Sequence, residues 1–261
     1  MKLYLLIAIC VAGFISAQNK SDTVPTNISD LEVKYLYTTS RDTTNLEERI
    51  SEVMVLDFNS NNSLYYSDSF LQRRKAMEAE LAIAKNTGAM ASIDAGKMAK
   101  PKIDYSVFRN NGKNLVTSRI GVDLFTFEGE SPKWQTNYKD EKTIVGYKCK
   151  KATAIFNKRQ YVAWYTKEIP IAEGPYRFKG LPGLILEVED TSNYDQFIAT
   201  GIEKKAVEIL QLQNGIPVTR AEYLKKREEF KLNPYPGKAM DISRRNQLES
   251  MVKKFNNTLE R

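Results

Sequence analysis

Leu181-Pro182-Gly183-Leu184, running on into Ile185-Leu186-Glu187-Val188, constrains the fold of this chain more than any other stretch. Pro182 presets a φ of about −65° at the second position of a turn, and Gly183 supplies positive φ at the third, the pattern of a type II turn. Leu184, Leu186 and Val188 then alternate with Ile185, Glu187 and Glu189, the period of a strand with one buried face and one that ends wet. A turn feeding a strand here predicts a sheet protein. Gly180, Leu181, Pro182 and Gly183 are read as structural turn residues, with Lys179 a surface neighbour whose replacement by Ala is expected to be nearly neutral.

Strand-like text recurs along most of the chain. Residues 31–37, 52–58 and 63–67 read as a meander of antiparallel strands joined by polar turns, one of them Asn59-Ser60-Asn61-Asn62. Residues 71–86 are strong helix formers, with Met77, Leu81 and Ala84 at helical spacing, and 87–100 lacks periodicity. A helical insertion at about 71–100 is therefore expected within an antiparallel β domain spanning 31–218. Strands resume at 103–109, 115–120, 123–127, 144–156 and 161–166, for around nine to eleven in all. Inside 144–156 the apolar positions change parity, from Val145, Tyr147 and Cys149 to Ala152, Ala154 and Phe156, the mark of a bulge that bends a strand.

The final segment, 219–261, reads as a C-terminal helical extension. Thr219 and Glu222 form a capping box for a helix over 221–230, and Asn233-Pro234 ends it. Ile242, Leu248, Met251, Val252, Phe255 and Leu259 mark one apolar face of a last helix, expected to pack on the sheet. The predicted fold class is α+β: a large curved antiparallel sheet, half-open and barrel-like, partly covered by helices.

Residues 1–17 read as a secretory signal, with Lys2 at the start, an apolar run from 3 to 14 and Ser16-Ala17 before the expected cleavage at Gln18. The run is shorter than the roughly 20 residues needed to span a bilayer. The chain after cleavage is thus expected to be exported, with a flexible polar stretch at 18–30 and no transmembrane span. Only Cys149 then remains, so no internal disulfide is available and stability must come from a core. The formal charge of +7 includes Lys2, leaving +6 on the mature side chains, but Lys and Arg are scattered among acids. Nucleic acid is excluded as a partner on that ground.

Catalytic equipment is scarce. The chain has no histidine, which removes Ser-His-Asp, Cys-His and His-based metal sites, and no cofactor motif is present. Cys149 reads as a small buried residue. Glu168 and Glu173, or Glu187 and Glu189, are the available carboxylate pairs for a hydrolase. Trp164, Tyr165, Tyr176 and Phe178 crowd around the turn and are the candidate ligand-binding residues; a sheet core with an aromatic rim accounts for them equally. Tyr176, in the connection after Gly174-Pro175, is expected to tolerate Ala as a surface position does.

Gly180-Leu181-Pro182-Gly183-Leu184-Ile185, preceded by Ala163-Trp164-Tyr165-Thr166, Glu168-Ile169-Pro170 and Gly174-Pro175, and upstream by Gly146-Tyr147-Lys148-Cys149 and Lys151-Ala152, resembles the GLPGLI family. These are uncharacterised envelope proteins of Bacteroidota-type bacteria, named for the hexapeptide. Many members carry a second cysteine shortly after the Lys-Ala pair; here Thr153-Ala154-Ile155 stands there, so the disulfide that the resemblance would imply is absent. The resemblance implies the periplasm or the outer membrane as the compartment and assigns no activity. The expected function is non-enzymatic binding of an apolar or amphiphilic ligand, or of a chain in transit. A structural or assembly partner of an outer-membrane complex is the alternative, and a carboxylate-dependent hydrolase the third. Lipids, peptides and envelope proteins are the corresponding partners.

Overall fold

The computed structural model describes residues 27–88, 90, 94, 96, 98–234 and 241–261, and the expected signal lies outside them. A first meander runs β1 (Leu31–Ser40), β2 (Arg49–Phe58), β3 (Ser63–Ser67), β4 (Ser106–Asn110), β5 (Lys113–Ile120) and β6 (Asp123–Gly129), with helix α1 (Asp68–Thr87) between β3 and β4. A second runs β7 (Glu141–Ile144), β8 (Tyr147–Phe156), β9 (Arg159–Thr166), β10 (Leu184–Asp190) and β11 (Asp195–Lys204). The short β12 (Ile216–Pro217), α2 (Arg220–Leu232) and α3 (Ile242–Lys254) follow.

Pairing of β1 with β11 joins the two meanders into one sheet of twelve strands among the described residues, ordered β12-β6-β5-β4-β3-β2-β1-β11-β10-β9-β8-β7. The sheet is open, with β12 and β7 at its edges. It is mixed, because β12 runs parallel to β6 while every other pairing is antiparallel. Two residues of β12 carry no period that a sequence reading detects.

One stretch shows how strongly the sheet wraps. Glu173, in the 167–183 connection, meets Arg109 of β4, and four residues later the Arg177 guanidinium lies 4.8 Å over the Phe156 ring of β8. Those strands are seven steps apart in the sheet, about 34 Å if it were flat at roughly 4.8 Å per step. Four residues of backbone span at most about 14 Å, and the same Arg177 guanidinium also lies against Gly129 of β6, nine steps from β8, so the sheet curls around the connection. The apolar face enclosed in this way carries Val33, Tyr35, Met54, Leu56, Val107, Phe127 and Phe197.

The opposite face holds a smaller cluster, Val55, Leu64, Tyr66, Phe108 and Ile209. Helix α1 starts there, its first turn capped by the Ser67 hydroxyl, yet it buries no residue, and Leu81 and Ile83 are exposed. Leu71 near its start packs against this cluster, so the 3.6-residue apolar spacing produced a helix that is held at one end and exposed at Leu81 and Ile83. Thr219 and Glu222 form the expected reciprocal capping box of α2.

Local geometry departs from the sequence expectation at several points. The stretch 144–156 is a hairpin, with Val145 (φ 49°) and Gly146 (φ 83°) at its turn, and β8 pairs with β9 in unbroken register. The parity change between Cys149 and Ala152 is therefore no bulge: both residues are buried in β8, and its register against β9 does not shift there. The register shifts fall instead at Ile185/Glu187 in β10 and at Lys34/Tyr35 against β11. In the last helix Ile242, Met251 and Phe255 are exposed, and the segment behind it is what docks, with Asn257, Leu259 and Glu260 buried. A backbone without regular structure carries no periodicity, so its burial was not visible in the sequence.

Candidate functional site

The connection from β9 to β10, residues 167–183, is the interior plug of the sheet. Glu173, Tyr176, Arg177, Phe178, Lys179 and Leu181 are all buried. Its backbone is satisfied locally: Phe178 N–H donates to Pro175 C=O (3.0 Å), Ile185 N–H to Glu173 C=O (2.9 Å) and Leu184 N–H to Ile169 C=O (3.0 Å). Gly183 N–H donates to Leu181 C=O at 2.8 Å, a bend of three residues around Pro182 in place of the expected four-residue type II turn. Gly183 has φ 153°, and a β-carbon there would collide with the Thr166 carbonyl oxygen. Glycine is needed for close approach to β9 as well as for φ. Strand β10 is buried on both faces, because the plug covers one and Lys142, paired with Glu187 at 2.6 Å, closes over the other.

Three polar clusters pin the plug and the last residues of the chain. Lys179 is buried, its ammonium 2.5 Å from Glu173 and 2.6 Å from the Ser63 hydroxyl, and Arg109 holds the other oxygen of Glu173. Lys179 is thus no surface residue; burial pushes its pKa down and Glu173 pulls it back up. Glu260 accepts from the Tyr176 hydroxyl and from Arg177, and Arg220 approaches its second oxygen at 2.8 Å. Asp195 accepts from Tyr37 and Thr39, each at 2.7 Å, and from Arg159 at 2.6 Å, while Asn257 donates to Ser40 C=O at 2.7 Å. Burial raises the Asp195 pKa, with the Thr39 and Tyr37 hydrogen bonds opposing it.

Beside the plug lies a cleft of about 570 Å³, bounded by the plug, β1, β5, α2 and the end of α3. Its apolar walls include Ile103, Val116, Ile120, Phe230, Val252 and Phe255. Clefts of roughly 300–1,000 Å³ with mostly apolar walls suit small ligands. Tyr176 lines it and holds φ 54°, an uncommon conformation for a bulky residue. Its hydroxyl is committed to Glu260, so it is fully buried and not the surface position that its place in a connection suggested.

Of the four aromatic residues singled out in the sequence, only Tyr176 lines this cleft. Phe178 packs centrally among Tyr161 (4.7 Å between ring centroids), Phe156 and Phe197 (5.6 Å each). Tyr165 is buried in β9, and Trp164, on the other face of that strand, lies beneath the Lys142 ammonium at 4.5 Å. Cys149 is fully buried, and burial pushes its thiol up to about 11. Glu168 accepts from Lys148 N–H, Glu187 pairs with Lys142, and Glu189 accepts from Gln196; none of the three lines the cleft. The residues that do line it come from β1, 101–105, β5, α2 and the C-terminal segment, far apart in sequence.

The fold and cleft define an open, plugged β-sheet protein with a lateral cavity. The family described as "Protein of unknown function (Porph_ging)" matches residues 155–187, which contain β9, the plug and the start of β10. No curated protein matches. Among solved structures, PNGF-II in the P21 space group is similar over 78% of this chain at 15% identity and a TM-score of 0.52. PNGF-II in the C2 space group gives 77%, 15% and 0.50. The chain spans 34% and 33% of those chains, about a third of their length, and the likeness concerns the fold alone. Among the described residues no helix is long and apolar enough to cross a membrane.

Proposed function

We propose that this chain is an exported protein of the GLPGLI kind, in the periplasm or at the outer membrane, that binds an apolar or amphiphilic ligand in the cleft without transforming it. The observation that carries this reading is the cleft itself: an apolar cavity stays open beside a core whose other aromatic residues are packed. The GLPGLI assignment is supported by the hexapeptide 180–185, which falls inside the matched segment 155–187. The non-enzymatic part is supported by the fate of the two carboxylates in the lining. Glu260 is tied to Arg177 and Arg220, which leaves Asp104 without a second carboxylate to work with.

The test is titration of the purified protein with Nile red, a neutral apolar dye. Saturable fluorescence at one site per chain is expected, weakened at least tenfold by Phe255→Asp, a substitution at a cleft wall that is 42% exposed and so tolerates charge. Absence of saturable uptake by the wild type would overturn the reading. Exposed Leu81 and Ile83 on α1 favour the second reading, a docking element of an envelope assembly.

A further inference from the structure

We infer that the cleft selects amphiphiles with an anionic head, bound at a lip made by Arg41, Lys102 and Arg119; this rests on the reading that the cleft takes an amphiphile.

Among the described residues five cations line the cleft: Arg41, Lys102, Arg119, Arg227 and Lys231. Arg227 and Lys231 are matched by Glu228, at 3.5 and 2.9 Å. Arg41, Lys102 and Arg119 have no carboxylate within ion-pair distance among the described residues. Their protein bonds go to carbonyl oxygens: Arg41 to Lys102, Lys102 to Ser51 and Arg119 to Val122. Each keeps further N–H donors for a ligand.

Two carboxylates among the described residues belong to the lining, and Glu260 is already held by Arg177 and Arg220. Asp104 therefore stands alone against three cations, an excess of two positive charges at the lip. Burial raises the Asp104 pKa, while a backbone hydrogen bond, Arg119 and Arg41 draw it down, so both guanidiniums act on this carboxylate.

The polar atoms that the walls leave unpaired point the same way. Among the described residues the buried Tyr105 hydroxyl and Arg227 Nε have no hydrogen-bond partner, and both residues line the cleft. The Tyr105 phenol stays protonated, since burial holds its pKa well above the ordinary value. Both atoms thus have a proton to donate, and an oxygen-rich anionic head supplies acceptors. Arg41 also lies over the Phe255 ring, 5.4 Å from its centroid, so the charged lip adjoins the apolar wall. That adjacency matches a head and a chain in one molecule.

The test compares displacement of Nile red, below micelle-forming concentrations, by dodecanoate, dodecyl maltoside and dodecyltrimethylammonium, with acetate and inorganic phosphate as chain-free anions. Dodecanoate is expected to bind about tenfold tighter than the maltoside and the cation to bind weakest. The gap should narrow between roughly 20 and 300 mM sodium chloride, as screening of an exposed charge requires. Arg119→Gln, at an exposed position, should lower dodecanoate affinity about fivefold and leave the maltoside unchanged. Equal affinities for the three heads would overturn the anionic selection while leaving the apolar-ligand reading standing. Displacement by acetate or phosphate alone would reduce the lip to a simple anion site and overturn the amphiphile, and no displacement by any chain would overturn both readings. Dodecanoate affinity unchanged in both Arg119→Gln and Lys102→Gln would overturn the assignment of the lip.

Discussion

Gly180 and Gly183 look equivalent in the sequence, and at the scale of single residues the structure separates them. Both have positive φ, but a β-carbon on Gly180 would meet nothing within 4 Å, whereas on Gly183 it would strike the Thr166 backbone. Gly180→Ala should therefore cost about 1–2 kcal/mol, the price of the conformation alone. Gly183→Ala should cost at least about 3 kcal/mol, because backbone must move; urea melts with equal midpoints would refute the difference. Lys179→Ala should cost about 3–5 kcal/mol, since it leaves a buried Glu173 short of one partner, while Lys179→Met with Glu173→Gln should recover much of the loss in the same melts. Pro182-Gly183 was legible as a bend because glycine and proline have intrinsic φ preferences. The burial of Lys179 was not, because a lysine followed by a turn motif reads the same in the open or under a sheet.

The register of the strands sets side-chain partners that no single strand specifies. Pairing of β1 with β11 and β2 puts Glu32 opposite both Glu203 and Asp57, three carboxylates in a row across neighbouring strands. Lys205 and Lys34 answer Glu32. Burial raises Asp57 to about 6, against a hydrogen bond from Tyr66 (2.8 Å) that lowers it. A carboxyl with a raised folded pKa stabilises most below its unfolded pKa of about 4, and that contribution disappears as pH rises through about 6. Asp57→Asn should accordingly gain on the wild type by on the order of 1–2 kcal/mol between pH 4 and 7, screening having trimmed the full linkage value. Melts whose difference is flat with pH would remove the effect. The meander, α1 and the α2 capping box were readable because alternation, helix propensity and cap chemistry are local. Helix α1 shows the limit: propensity made it a helix, and only the sheet decided that Leu71 packs while Leu81 and Ile83 stay exposed.

Across the whole molecule, stability and the cleft depend on the same docking of the C-terminal segment. Glu260 joins Tyr176 and Arg177 in the plug to Arg220 at the start of α2, and Asn257 joins Asp195 of β11 to the end of β1. Glu260→Ala should destabilise by roughly 3–5 kcal/mol, because two guanidiniums lose their carboxylate, one of them fully buried. Tyr176→Phe should cost only about 1–3 kcal/mol, the share of one hydrogen bond to a charged group. If Glu260 held the segment without shaping the cleft, Nile red uptake would survive Glu260→Ala at temperatures where the protein remains folded; loss of uptake together with faster hydrogen exchange over 257–261 is the expected result.

The sequence by itself determined that the chain is built on a sheet of many short strands, that a bend feeds β10, and where the helices start. Each of these follows from period, propensity or φ preference within a few residues. Tertiary structure alone decided that the 167–183 connection turns inward, that Lys179, Tyr176 and Glu260 are buried, and that a cleft opens between β1, β5 and α2. Those outcomes depend on how far twelve strands curl before a plug fills them. Curl is the sum of many small twists and two register shifts, which no local pattern encodes.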